Sequence, residues 1–90
     1  MDSAWDEAKN RRNLAKHGIS FEEAARLLAD RTLMEVDDRH SYGETRFRAY
    51  GMVEGRLLCV VCTMRGDRVR IISARRASRA ERRTYRQTQS

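Results

Sequence analysis

The sequence predicts an α+β fold: two N-terminal helices packed on a mainly antiparallel four-stranded sheet and a C-terminal helix, with room for one short extra strand before Asp6. Three observations carry this. Apolar residues recur at helical spacing as far as Asp30-Arg31, and from Thr32 the period changes from about 3.6 to 2. Tight turns at Glu54-Gly55 and Arg65-Gly66-Asp67 divide the rest of the chain into sequential hairpins, which favours antiparallel pairing. A second helix-start signal comes after the last strand. Ninety residues make a single domain spanning 1–90, and such a short chain buries only about 60–65% of its unfolded surface.

Each element has a local reason. Asp6 is the expected N-cap of a helix over Glu7–His17 that includes Leu14 among its apolar residues and comes after Trp5, and Gly18 is its stop. Ser20-Phe21-Glu22-Glu23 is a capping box that opens a second helix, whose buried stripe is Phe21, Ala24, Ala25 and Leu28. Met34 and Val36 then alternate with Glu35 and Asp37. A polar turn at Asp38–Gly43 leads into a strand over Glu44–Val53, with Glu44, Arg46, Arg48 and Tyr50 on one face and Thr45, Phe47, Ala49 and Val53 on the other. Leu57–Met64 is apolar on both faces, as a central strand should be. Arg68–Arg76 is the last strand. Ser78-Arg79-Ala80-Glu81 is a second capping box, starting a basic helix that carries Tyr85 and frays over Gln87–Ser90.

Charge is concentrated at the C-terminal end. From Arg65 to Arg86 there are nine arginines against two acids, a local charge of +7, while the remaining ten basic and eleven acidic residues net −1. A localised cationic surface is the electrostatic footprint of a nucleic-acid partner; the bland alternative is a solvated arginine-rich face. Arginine outnumbers lysine seventeen to two, and its planar fork grips phosphate in bidentate fashion and stacks on bases.

Several classes fall away. No apolar run is long enough to span a membrane, and the chain start lacks the apolar core of a signal peptide. Cys59 and Cys62 lie inside a strand, where a C-x-x-C pair points to opposite faces, so buried free thiols and a reducing cytoplasm are expected. No second ligand pair exists for zinc. Glu35-Val36-Asp37-Asp38 has no partner cluster for another metal, so neither metal nor cofactor is expected. No nucleophile elbow supports a Ser-His-Asp arrangement.

Cleavage of RNA without a metal needs a base for the 2′-hydroxyl, an acid for the 5′-oxygen and cations for the crowded phosphate. His17 and Glu44 are candidate bases or acids. Arg46, Arg70 and Arg75 are candidate phosphate clamps, and Tyr85 is placed to stack on a base or donate a proton. Arg48, Arg65, Arg68, Arg76 and Arg82 are candidate RNA contacts. Innocent readings stand beside these. His17 suits the C-terminal end of a helix dipole, Glu44 and Arg46 suit a surface ion pair, and His40 suits a solvated turn. Arg70 and Arg75 differ by five positions and face opposite sides of an unbroken strand; parity places Arg75 with Val69 and Ile71, so the two share a site only through a bulge or a strand end.

Trp5-Asp6-Glu7-Ala8-Lys9, Asn13, Lys16-His17-Gly18-Ile19-Ser20-Phe21 and Glu23-Ala24 together resemble the N-terminal signature of the BrnT family of bacterial toxins. Gly43-Glu44-x-Arg46, Gly51, Gly55-Arg56-Leu57-Leu58, Arg65-Gly66-Asp67, Arg70-Ile71-Ile72-Ser73-Ala74-Arg75 and Glu81-Arg82 with Tyr85 continue in the family's order. The resemblance implies a RelE-like fold and an endoribonuclease that arrests translation. It further implies a ribbon-helix-helix antitoxin that holds the toxin inactive, with operator DNA bound only through the complex. It adds weight to Arg46, Arg70, Arg75 and Tyr85, and Glu44 and His17 fall on matching motifs. Similar sequences carry apolar residues before the Trp-Asp pair, where this chain has Met1-Asp2-Ser3-Ala4. The rival expectation is a non-catalytic nucleic-acid-binding or repressor-partner module.

Overall fold

The change of period at Thr32 divides the molecule into a helical layer and a sheet. The computed structural model describes residues 3–30, 32–38 and 43–89. In chain order the elements are β1 (Ser3–Ala4), α1 (Glu7–His17), α2 (Phe21–Ala29), β2 (Leu33–Asp37), β3 (Arg46–Val53), β4 (Arg56–Arg65), β5 (Arg68–Arg76) and α3 (Arg79–Gln89). The strands form one sheet in the order β1-β5-β4-β3-β2. Four of them pair antiparallel as hairpins, as the turns require. The fifth makes the sheet mixed: Ser3 and Ala4 lie parallel to β5, opposite Val69 and Arg70. The short N-terminal strand therefore forms with only two small residues.

Both N-terminal helices start where their caps dictate. The Asp6 carboxylate accepts the backbone N–H groups of Ala8 and Lys9, and Gly18 closes α1 in the left-handed region at φ 71°. Ser20 and Glu23 complete a reciprocal capping box at the start of α2. Phe21, Ala24, Leu27 and Leu28 of α2 pack onto Ala49, Leu58, Val60, Ile71 and Ala74 of the sheet, with Trp5 meeting Phe21 edge-on at 6.3 Å. At Gly51 the helix comes so close that a Cβ would stand 3.0 Å from Leu27 Cγ.

The inward face of α1 is polar. Leu14 is 49% exposed, and the residues buried instead are Asn10 and Asn13. Asn13 donates to the carbonyls of Ile19 and Ala74 and accepts the Ala74 N–H. Asn10 accepts the Phe21 N–H at the start of α2. Backbone groups that regular structure leaves open thus set the polarity of this face, because a buried unpaired N–H or C=O costs more than an apolar contact returns.

The basic C-terminal helix crosses the other face of the sheet. Its capping box is present, Ser78 Oγ accepting the Glu81 N–H and Glu81 accepting the Ser78 N–H. The helix continues to Gln89 rather than fraying at Gln87, with Thr84 and Thr88 hydroxyls donating to carbonyls of the preceding turn. None of its residues is buried. Among the described residues no helix is long and apolar enough to cross a membrane.

Candidate active site

One face of the sheet is covered by α1 and α2; the other carries the arginines. The register arranges this outer face in rows. Arg46, Thr63 and Arg70 lie side by side on β3, β4 and β5, Arg48, Val61 and Ser73 form the next row, and Tyr50, Cys59 and Arg75 the third. Rows are about 7 Å apart along the strands, and residues two strands apart in a row lie about 10 Å apart.

A β-bulge makes this possible. Val61 pairs with Ser73 and Cys62 with Ile71, so Ile72 is the extra residue of β5. The insertion resets the alternation, and Arg70 and Arg75 fall on the same face although five positions separate them. The parity expectation for Arg75 is thereby corrected: it stands with Tyr50 and Cys59, not with Val69 and Ile71, which are buried in the core.

At the third row Glu81 of α3 meets two partners. Arg75 donates to both of its oxygens, at 2.8 and 3.0 Å, and the Tyr50 hydroxyl donates to it at 3.0 Å. The paired guanidinium above all, against the opposing effect of burial, draws the Glu81 carboxyl down to about 2. The same bonds push Arg75 up. Burial chiefly, with Cys59 and the carboxylate beside it, drives the Tyr50 hydroxyl well above its ordinary value and keeps it protonated. Burial also raises Cys59 beneath it, and raises Cys62, on the core side, to about 11. Both cysteines are free thiols on opposite faces. Tyr85 overhangs this end, lining a cleft of about 160 Å³ with Glu35, Arg48, Tyr50 and Glu81. Arg48 is paired with Glu35 across the strands at 3.1 Å.

At the first row Asp37, buried on β2 directly across from Arg46, is one acid and Glu44 is the other. Glu44 lies in the bend before β3 and not in the strand itself, because Gly43 turns the chain at φ 74° and the Thr45 carbonyl is taken by the Thr63 hydroxyl at 2.6 Å. Its oxygens stand 3.5 Å from Arg46 Nε and 3.7 Å from Arg65 Nη2. The ion pair that is the innocent reading of Glu44 and Arg46 therefore exists, two strands from Arg70. Arg65 and Arg68 pair with each other where the β4–β5 turn begins and ends, continuing the first row outward.

The remaining candidates separate cleanly. His17 is exposed at the last turn of α1, in the helical layer, and is not brought to the outer face. His40 lies outside the described residues. Arg76 and Arg82 line a second cleft beyond Tyr85. Tyr50 and Glu81 are the participants that sequence reasoning missed. Tyr50 shared a face with Arg46 and Arg48 by alternation, and Glu81 was one of only two acids in the basic run, so both carried a signal.

Comparison with known proteins identifies the family. A family model described as the ribonuclease toxin BrnT of type II toxin–antitoxin systems matches residues 5–81. The chain is similar to the Brucella abortus ribonuclease toxin BrnT, known from a 1.1 Å crystal structure, at 27% identity and a TM-score of 0.63, over 88% of this chain and 100% of that one. No curated protein sequence gives a significant match. With the match running from Trp5 at the head of the helical layer to Glu81 at the outer face, this chain belongs to the BrnT family of ribonuclease toxins.

Proposed function

We propose that this toxin is an endoribonuclease that cleaves RNA on the outer sheet face with its own side chains and no metal. The carrying observation is the register across β3, β4 and β5, which sets Arg46 and Arg70 on either side of Thr63 with Arg48 on the same face, while the bulge at Ile72 adds Arg75. Arg46 and Arg70 hold the scissile phosphate from either side of Thr63. Glu44 takes the 2′-hydroxyl proton, the 2′-oxygen attacks phosphorus, and the bond to the 5′-oxygen breaks, leaving a 2′,3′-cyclic phosphate. The departing 5′-oxygen is protonated by water, and Tyr85, over the third row, stacks on a base of the bound strand. Arg75 is paired one-to-one with Glu81 and braces Tyr50 and α3 rather than gripping the phosphate. The metal-free reading is supported by the groups on this face, since fixed guanidinium donors can themselves stabilise the charge that develops on a phosphate.

The family's type II character supports an antitoxin protein as partner and RNA as substrate. In this reading the antitoxin is a ribbon-helix-helix protein, operator DNA is reached only through the complex, and RNA decay in the cytoplasm arrests translation. Purified protein with defined RNA tests the chemistry. Removing one preorganised donor from a developing charge costs about 10²–10³ in rate, so Arg46→Ala and Arg70→Ala are each expected to lose that much in kcat/KM with folding intact. Full activity in both variants sinks the assignment. Tyr85→Phe is expected to retain activity, since it keeps the stacking ring and removes only the proton. RNA bound in a salt-dependent manner but never cut would instead favour a non-catalytic binding module.

A further inference from the structure

Tyr85 lines three clefts, one of them with Thr32, Leu33, Thr88 and Gln89. Beyond the one shared with Glu35 and Arg48 lies a larger groove of about 570 Å³ between α3 and the ends of β3, β4 and β5. Its floor is apolar, formed by Met52, which is 55% exposed, and Leu57. Its rim holds Arg76, Arg82 and Arg86, and Tyr85 is one wall. Among the described residues no acid lines it. Arg56, at the edge, is already bonded to Glu23, and Arg82 donates to the Ala77 carbonyl. Among the described residues Arg76 and Arg86 engage no acid.

Such a combination selects its occupant. An apolar peptide segment would leave the rim cations uncompensated, and a bare anion would leave the floor and the ring unused. A nucleotide uses all three: a base seats on an apolar, aromatic-walled surface, and its phosphate meets unneutralised guanidinium groups. The base must be unstacked to enter, which specifies single-stranded RNA. The groove also lies in the size range of ligand-sized clefts, about 300–1,000 Å³.

We propose that this groove is a subsite for a nucleotide several linkages from the scissile one, its base over Met52 and Leu57, which stand three rows or about 20 Å from Arg46 and Thr63, and its phosphate between Arg76 and Arg86. The inference rests on reading the outer sheet face as the RNA-cleaving site, and it makes the toxin a reader of strand length as well as of the cleaved linkage.

Binding of fluorescent 2′-O-methyl oligoribonucleotides, a dimer and a hexamer, to the full chain tests this by anisotropy, since the blocked 2′-oxygen prevents cleavage. For Arg76→Ala/Arg86→Ala the hexamer affinity is expected to fall about tenfold and the slope of log K against log salt to flatten by about 1.4, with the dimer nearly unchanged. Met52→Glu, which places a carboxylate on the floor and leaves the arginines in place, should reproduce the loss. Arg11→Ala/Arg12→Ala, on the exposed side of α1, is the control for bulk charge. Wild-type hexamer binding in the cleft variants overturns the proposal, as does an equal loss for dimer and hexamer. Retained RNA affinity with lost antitoxin binding also overturns it, and assigns the groove to a protein partner. Failure of the wild-type protein to cut unmodified RNA sinks the catalytic reading alone, because the anisotropy still reports on the groove.

Discussion

Glu81 does three jobs with one carboxylate: it caps α3, pairs with Arg75 and accepts from Tyr50. Its folded value of about 2 lies below the ordinary 4.5, so the stabilisation is complete above about pH 4.5 and is lost as pH falls toward 2. Discounted for partial exposure, the expected contribution is about 1–2 kcal/mol. In urea denaturation Glu81→Gln should therefore sit below wild type by that amount at pH 7, and the gap should narrow by pH 3; a gap independent of pH would contradict the account. Asn13 is the other residue with an outsized role. Asn13→Ala strips one acceptor and two donor bonds from Ile19 and Ala74 and is expected to cost about 2–4 kcal/mol, read as a lowered urea midpoint. The sequence flags Glu81 only as a capping-box acid in a basic run and Asn13 only as one position of the family signature, and it names the partners of neither. An asparagine in a helix and a glutamate in a capping box look like local punctuation, and their long-range partners are 61 and 31 positions away.

Where periodicity or capping decides an element, the sequence was sufficient. The Asp6, Ser20 and Ser78 caps and the alternation along Arg46–Val53 fix α1, α2, α3 and β3 from local chemistry alone. The β5 bulge was out of reach because Ile71-Ile72 are both apolar, and either could serve as the inward residue. The inner face of α1 was out of reach for a related reason: periodicity looks for an apolar stripe, whereas α1 answers backbone groups of α2 and β5 with Asn10 and Asn13. The contact of α2 with β3 provides a test of packing. Gly51→Ala places a methyl 3.0 Å from Leu27 Cγ, forcing the helix or the side chain to move at a cost of about 1–3 kcal/mol. Unchanged stability would mean that Leu27 repacks without penalty.

The sheet gives the whole molecule two unlike sides, and most of the excess charge sits on one of them. The distribution was legible as nine arginines in the last third of the chain; the sidedness of His17 was not, since only the fold decides on which side of the sheet the end of α1 emerges. A positioned proton carrier contributes about 10²–10⁴-fold, so His17→Ala is expected to leave the RNA cleavage rate within about threefold, and a larger loss would move the proton-transfer chemistry away from Glu44. The C-terminal helix, for its part, is fastened at one end. Its fixing to the sheet falls in the first turn, at Glu81 with Arg75 and Tyr50, while the stretch beyond is unburied. At about 1.5 Å per residue the helix is a lever roughly 16 Å long. A tilt of a few degrees at Ala77-Ser78 widens the groove on one flank of Tyr85 while narrowing the other, so whatever wedges under the free tip is felt at both at once.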